Sequence, residues 1–171
     1  MRRHALTGAF IAVGLAAVVA PALTAQLHVA PEIVHSSRRN VGLGARVTWG
    51  LTSATWLYAE ALEFLQDTDG AADPGVQVDA SYRELDLGLM VLGDRRMLQP
   101  YAGAGGGFFY SALALELDGD RAAVDRTGWL GHLFFGLRVP RRSFTPYAEF
   151  RRVLNEGGQW VYGGGVAFQV R

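Results

Sequence analysis

From Gln26 onward the chain alternates apolar and polar side chains with a period of two, in eight successive segments. A period of two is the mark of a strand with one face in each of two solvents. The segment 76–92 is the clearest. Leu85, Leu87, Leu89 and Val91 alternate there with Glu84, Asp86, Gly88 and Met90. In 127–139, Leu133, Phe135, Leu137 and Val139 alternate with His132, Phe134, Gly136 and Arg138. In 40–50, Val41, Leu43, Ala45, Val47 and Trp49 oppose Gly42, Gly44, Arg46 and Thr48. The other segments are 26–35, 55–65, 100–117, 146–154 and 159–171. Short turns are expected at 51–54, 93–99 and 140–145, and long loops at 66–75 and 118–125. Eight period-two strands whose connections alternate short and long predict an all-β fold. It is an eight-stranded antiparallel up-and-down transmembrane β-barrel. With both termini in the periplasm, the short turns are periplasmic and the long loops extracellular.

The barrel is expected over 26–171, after an N-terminal signal peptide in 1–25. The chain opens Met1-Arg2-Arg3-His4, runs apolar from Ala5 to Ala20, and offers small residues at Ala20-Pro21-Ala22. A basic start, an apolar stretch and a small-residue exit are what a signal peptidase reads, with cleavage after Ala22 or Ala25. The run is shorter than the roughly 20 apolar residues a spanning helix needs. Export through the periplasm to a Gram-negative outer membrane follows. There is no cysteine, so no disulfide scaffold is available. Every basic residue is Arg; without Arg2 and Arg3, 14 Arg face 16 acidic residues, a net charge of −2. That balance excludes a nucleic-acid partner.

Alternation assigns Glu32, Arg46, Glu60, Glu84, Asp86, Arg138, Glu149 and Arg151 to the lumen, with His28 and His132. An eight-stranded barrel is just wide enough for side chains to fill it. An unpaired charge in that space is costly, so these residues are expected to form a paired, structural network. A gated narrow pore is the alternative use, and five carboxylates against three Arg would make any leak favour cations. The turn 51–54 sets Arg46 opposite Glu60. Glu63 then falls on the outer face, near the rim. Gly103, Gly105 and Gly107 are expected inside, and Ala102, Ala104, Phe108 and Tyr110 outside.

Three further features bear on chemistry. His132 is a candidate catalytic base if Ser111 and Glu116 approach it, as lipid-modifying acyl chemistry would need. The long loops are acidic, with Asp67, Asp69 and Asp73 in one and Asp118, Asp120 and Asp125 in the other. Asp67-Thr68-Asp69-Gly70 is similar to the start of a calcium loop, but the later ligands are missing, so solvated turns are expected, with a loose divalent-cation site against anionic lipopolysaccharide as the alternative. The periplasmic turns are basic, at Arg95-Arg96 and Arg141-Arg142. Trp49, Trp56, Trp129, Trp160, Tyr110 and Tyr162 fit aromatic girdles at the two membrane interfaces. A weak repeat, Gln99-Pro100-Tyr101-Ala102 and Thr145-Pro146-Tyr147-Ala148, opens two rising strands.

Pro100-Tyr101-Ala102-Gly103-Ala104-Gly105-Gly106-Gly107 resembles the Pro-Tyr-x-Gly-x-Gly-x-Gly strand of OmpA/OmpX-like and opacity-type outer-membrane barrels. Gly158-Gln159-Trp160-Val161-Tyr162-Gly163-Gly164-Gly165-Val166 resembles their closing strand. Such barrels often end in an aromatic residue that the assembly machinery recognises; here the last aromatic, Phe168, is displaced inward from Arg171. The expected protein is a porin-like barrel, monomeric, with no cofactor and no metal. Its partners would be outer-membrane lipid, lipopolysaccharide and, during biogenesis, the barrel-assembly machinery. Three functions stay open. One is a non-enzymatic envelope or surface-interaction role, another a lipid A-modifying enzyme. The third is a secreted lipocalin-like carrier, which would need the opposite polarity of faces.

Overall fold

The computed structural model describes residues 26–65, 76–94, 97–117, 120–154 and 158–170; for 76–79, 115–117 and 120–121 it describes the backbone alone. The expected leader lies outside the described residues, as do the acidic loop at 66–75 and the Arg95-Arg96 turn. Eight strands run in chain order: β1 Leu27–Ser36, β2 Asn40–Gly50, β3 Thr55–Phe64, β4 Val76–Leu92, β5 Gln99–Leu117, β6 Asp120–Arg138, β7 Phe144–Val153 and β8 Gln159–Val170. Each pairs antiparallel with its neighbours, and β1 pairs with β8, so the sheet closes on itself. Closure removes the edges that an open sheet would leave exposed. No helix among the described residues is long and apolar enough to cross a membrane.

The alternation read from sequence is physical. Leu85, Leu87, Leu89 and Val91 are each about half exposed, whereas Glu84, Asp86 and Met90 between them are buried. Leu133, Phe135 and Leu137 are exposed against buried His132, Phe134 and Arg138. The charges are inside and the hydrocarbon is outside, the inverse of a water-soluble barrel.

The β5–β6 connection differs from expectation. The long loop foreseen at 118–125 is strand from Asp120 on, while 118 and 119 lie outside the described residues: Leu117 pairs with Asp120, and the ladder runs unbroken to Gln99 opposite Arg138. Residues 122–125 read as a loop because they are exposed on both faces, with neither buried against a core. Cross-strand pairing with β5 makes the strand instead. β4, β5 and β6 are 17, 19 and 19 residues long, against 10–12 for the other five. β3 pairs with β4 only from Tyr82, and β7 with β6 only from His132. The three long strands therefore continue as a flap past the end of the barrel opposite the termini. At that end the β1–β2 hairpin turns through Asn40, at φ 58°. Asn tolerates this left-handed backbone better than most residues.

Three lumen tyrosines each stand opposite a glycine on the neighbouring strand: Tyr58 opposite Gly88, Tyr101 opposite Gly136, Tyr147 opposite Gly165. A large ring fits the narrow interior only where its neighbour has no side chain. A Cβ on Gly105 would meet the Tyr58 hydroxyl, and one on Gly103 would meet the Phe134 ring. Gly88 is equally filled, since a Cβ there would lie 2.6 Å from the Tyr58 ring. Gly88→Ala is therefore an overpacking change.

Candidate functional site

The lumen is built in three layers. In the middle, Arg46 on β2 and Glu60 on β3 face each other in register, and Arg46 Nε donates to Glu60 Oε2 at 2.6 Å. The Arg46 guanidinium also donates through both terminal nitrogens to Glu149, at 2.6 and 2.9 Å. Arg151 donates to Glu60 at 2.8 Å and to Glu149 at 3.0 Å. Two guanidiniums and two carboxylates thus form a closed, charge-neutral square. Glu32 lies 3.4 Å from Arg46 and accepts the Tyr147 hydroxyl at 2.7 Å. Asp86 lies 3.7 Å from Arg151 and 3.8 Å from His132 Nδ1. The Tyr101 hydroxyl donates to Glu149 at 3.1 Å.

Each sequence-predicted residue has a definite place. Glu32, Arg46, Glu60, Asp86, Glu149 and Arg151 come together in the middle layer. Glu84 sits apart, toward the flap end, where Arg39 lies 3.7 Å away. Arg138 sits at the terminal end, donating to Gln99 at 2.8 Å and standing over the Trp56 ring. All eight are buried. His28 is half-buried and meets Trp56 edge-on. A small cavity of about 30 Å³ lies beside it, with Arg46 and Arg138 in its lining.

The candidate catalytic grouping does not assemble. His132 Nε2 is 2.5 Å from the Tyr58 hydroxyl. His132 pairs in register with Gly105, and Ser111 lies six residues further along β5, opposite Arg126. Six residues of strand span about 20 Å, too far for a nucleophile and its base. The Glu116 side chain is outside those described. Among the described residues, no group of three or more His, Asp or Glu is placed to hold a metal ion.

Two features escaped the sequence reading. The first is the layer above the charges. Val34, Leu62, Phe64, Tyr82, Phe109, Leu130, Val153 and Val161 form a buried apolar cluster at the flap end. Tyr82 stacks on Phe109 with centroids 5.6 Å apart, and Arg39 lies 3.4 Å over the Tyr82 ring. The lumen is therefore only partly polar. On most of these strands they share the parity of the inward charged residues, but an apolar side chain does not by itself mark which face it takes. The second is the role of the repeated Pro-Tyr. Both tyrosines point inward and bind lumen carboxylates.

Trp56 corrects the girdle expectation. It is 1 % exposed, in the aromatic layer at the terminal end with Tyr58, Met90, Leu92, Tyr101 and Phe134. Trp129, Trp160, Tyr110 and Tyr162 are on the outer surface, and Trp49 is half-buried. Glu63 is outside as well, paired with Arg83 at 3.0 Å. Arg152, also outside, stands 4.5 Å over Trp160.

Solved structures share this fold at low identity. The N-terminal β-barrel domain of Pseudomonas aeruginosa OprF is 17% identical with a TM-score of 0.57, covering 85% of this chain and 97% of that one. Neisserial surface protein A is 15% identical with a TM-score of 0.54, over 85% of this chain and 96% of that one. Ail, the attachment invasion locus protein of Yersinia pestis, in complex with the heparin analogue sucrose octasulfate, is 13% identical with a TM-score of 0.53, over 84% and 97%. No family model and no curated protein matches the chain.

Proposed function

We propose that the chain is a non-enzymatic outer-membrane barrel of the OmpA/OmpX-like type, exported by its leader and inserted by the barrel-assembly machinery. Its lumen charge network (Glu32, Arg46, Glu60, Glu84, Asp86, Arg138, Glu149, Arg151) is a structural core, and its activity is carried by the surface-exposed end. One observation carries this reading: the inversion of polarity, with leucines half exposed around a wall whose interior buries ion pairs. The polarity disfavours the lipocalin-like carrier. The separation of Ser111 from His132 disfavours the lipid A-modifying enzyme. Each copy closes its own wall, which favours a monomer within the membrane.

Outer-leaflet lipopolysaccharide is the natural lipid partner. Arg83 and Arg152 lie on the outer surface near the flap end of their strands, beside Tyr110 and Trp160. There they would meet anionic headgroups, where a guanidinium pairs well with phosphate. The Ail structure holds a polysulfated sugar, a polyanion of related charge.

The test uses the chain's lack of cysteine. Single cysteines at Ala104 and Leu133, spin-labelled in lipid vesicles, are expected to collide with oxygen and not with a water-soluble nickel chelate. Leu87→Arg is expected to block insertion, at a cost of about 2–4 kcal/mol at mid-membrane depth. Chelate access at Ala104, or a Leu87→Arg protein that inserts as well as wild type, would overturn the reading.

A further inference from the structure

The outer edge of the flap carries a self-complementary sequence. From Asp120 to Leu130, β6 pairs with β5 alone among the described residues. The edge opens with Asp120-Arg121-Ala122-Ala123-Val124-Asp125-Arg126. Ala122 to Thr127 are exposed, Val124 at 67 %. A backbone edge of this kind is a template for another strand.

We propose that this edge pairs antiparallel with the same edge of a second copy held in a facing membrane, joining two outer-membrane surfaces through a continuous six-stranded sheet. The proposal rests on the outer-membrane reading above. Centred on Ala123, the pairing sets Asp120 opposite Arg126, Arg121 opposite Asp125 and Ala122 opposite Val124, and then repeats by symmetry. Every charged position in the overlap meets its opposite, and small residues occupy the centre. Opposite charges directly across an antiparallel pair are stabilising and like charges destabilising. Sliding the register by two residues in one direction sets Asp120 against Val124 and Arg121 against Ala123. Sliding it in the other sets Arg126 against Ala122 and Arg121 against Thr127. Only the centred register satisfies all four charged positions. An isologous contact of this kind is closed, so it ends at two copies.

Geometry fixes which copies can meet. In one membrane every β6 runs the same way, down toward the bilayer, so neighbours cannot present antiparallel edges. Copies in facing membranes can. Ala123 lies six residues beyond the exposed Trp129, about 20 Å along the strand, which lifts the centre of the contact clear of the lipid.

The experiment is a vesicle-clustering assay with the full chain in preformed phosphatidylcholine vesicles. Impermeant maleimide labelling of Thr127→Cys first selects preparations with the flap outward. Light scattering reads clustering. Wild-type vesicles are expected to cluster, and less so at 1 M salt, where exposed charges are screened within about 3 Å. Two variants separate pairing from stickiness: D120R/D125R makes the edge all basic, and R121D/R126D all acidic. Each alone is expected to cluster at least tenfold more slowly than wild type, and the two mixed are expected to recover it. Heat-modifiable gel mobility shows that each variant has folded, which matters because Arg121 stands opposite Glu116 in the β5 register. Failure of the chain to insert would count against the membrane reading. Folded, inserted wild type that stays dispersed would overturn the pairing alone. So would variants that cluster unmixed, or a mixture no faster than its parts.

Discussion

The middle and the flap-end layers of the lumen occupy the same bore, yet they hold it by different means. In the middle, Arg46, Arg151, Glu60 and Glu149 are buried and bonded to one another within 2.5–3.0 Å. Toward the flap, Val34, Leu62, Phe64 and Phe109 fill the bore with apolar side chains, and the charges there, Glu84 and Arg39, stand at the margin of that cluster. The charged layer is a unit: each member is tolerable only because the others are present. The apolar layer is a sum of contacts, each giving way largely by itself. An apolar layer stabilises by burial, and the charged layer adds directional bonds that fix which strand faces which across the bore. Where a barrel seals itself and where it fixes its register are thus separate places.

Removing one member of the square tests the comparison most severely. Arg151→Met leaves Glu60, Glu149 and Asp86 short of a cation, and is expected to cost about 3–5 kcal/mol. Phe109→Ala empties the apolar layer beneath Tyr82, and is expected to cost about 3 kcal/mol. Urea unfolding in lipid measures both. If Phe109→Ala proved the costlier of the two, the ranking of the layers would be reversed. The smallest effect is expected outside the barrel. Arg83→Gln breaks a pair whose side chains are 47 % and 37 % exposed, so it should change stability by less than about 1 kcal/mol. A larger loss would show that this pair lies at hydrocarbon depth.

Much of this was legible in the sequence, because a barrel wall separates two solvents and each strand records both by parity. The Leu85–Val91 stripe and the inward Gly103, Gly105 and Gly107 follow from parity alone. The choice of Glu60 over Glu63 for the inner face needs more than parity, because the two have opposite parity; it rests on Glu63 lying nearer the rim, where an outward charge is cheaper. Parity does not reveal what fills the bore beyond the charged residues. Phe64, Tyr82 and Phe109 share the inward parity of those residues, but an inward apolar residue looks like any other apolar residue in a one-dimensional pattern. Trp56 misled for the same reason, since an interfacial and a luminal tryptophan are both aromatic residues at a strand end. The β5–β6 flap was hidden because Ala122–Thr127 buries neither face and so lacks the contrast that marks a strand. Arg39 was hidden because its partner Glu84 is 45 residues away in the chain.

The claim that the middle layer acts as a unit is tested most directly by a double-mutant cycle on Arg46→Met and Glu60→Gln, read by urea unfolding in lipid. The two single variants each strand a buried charge, whereas the double variant leaves Glu149 and Arg151, which bond each other at 3.0 Å. The double variant is expected to cost less than the sum of the singles by more than about 1 kcal/mol. Additive costs would show that Arg46 and Glu60 act independently, and would contradict the account.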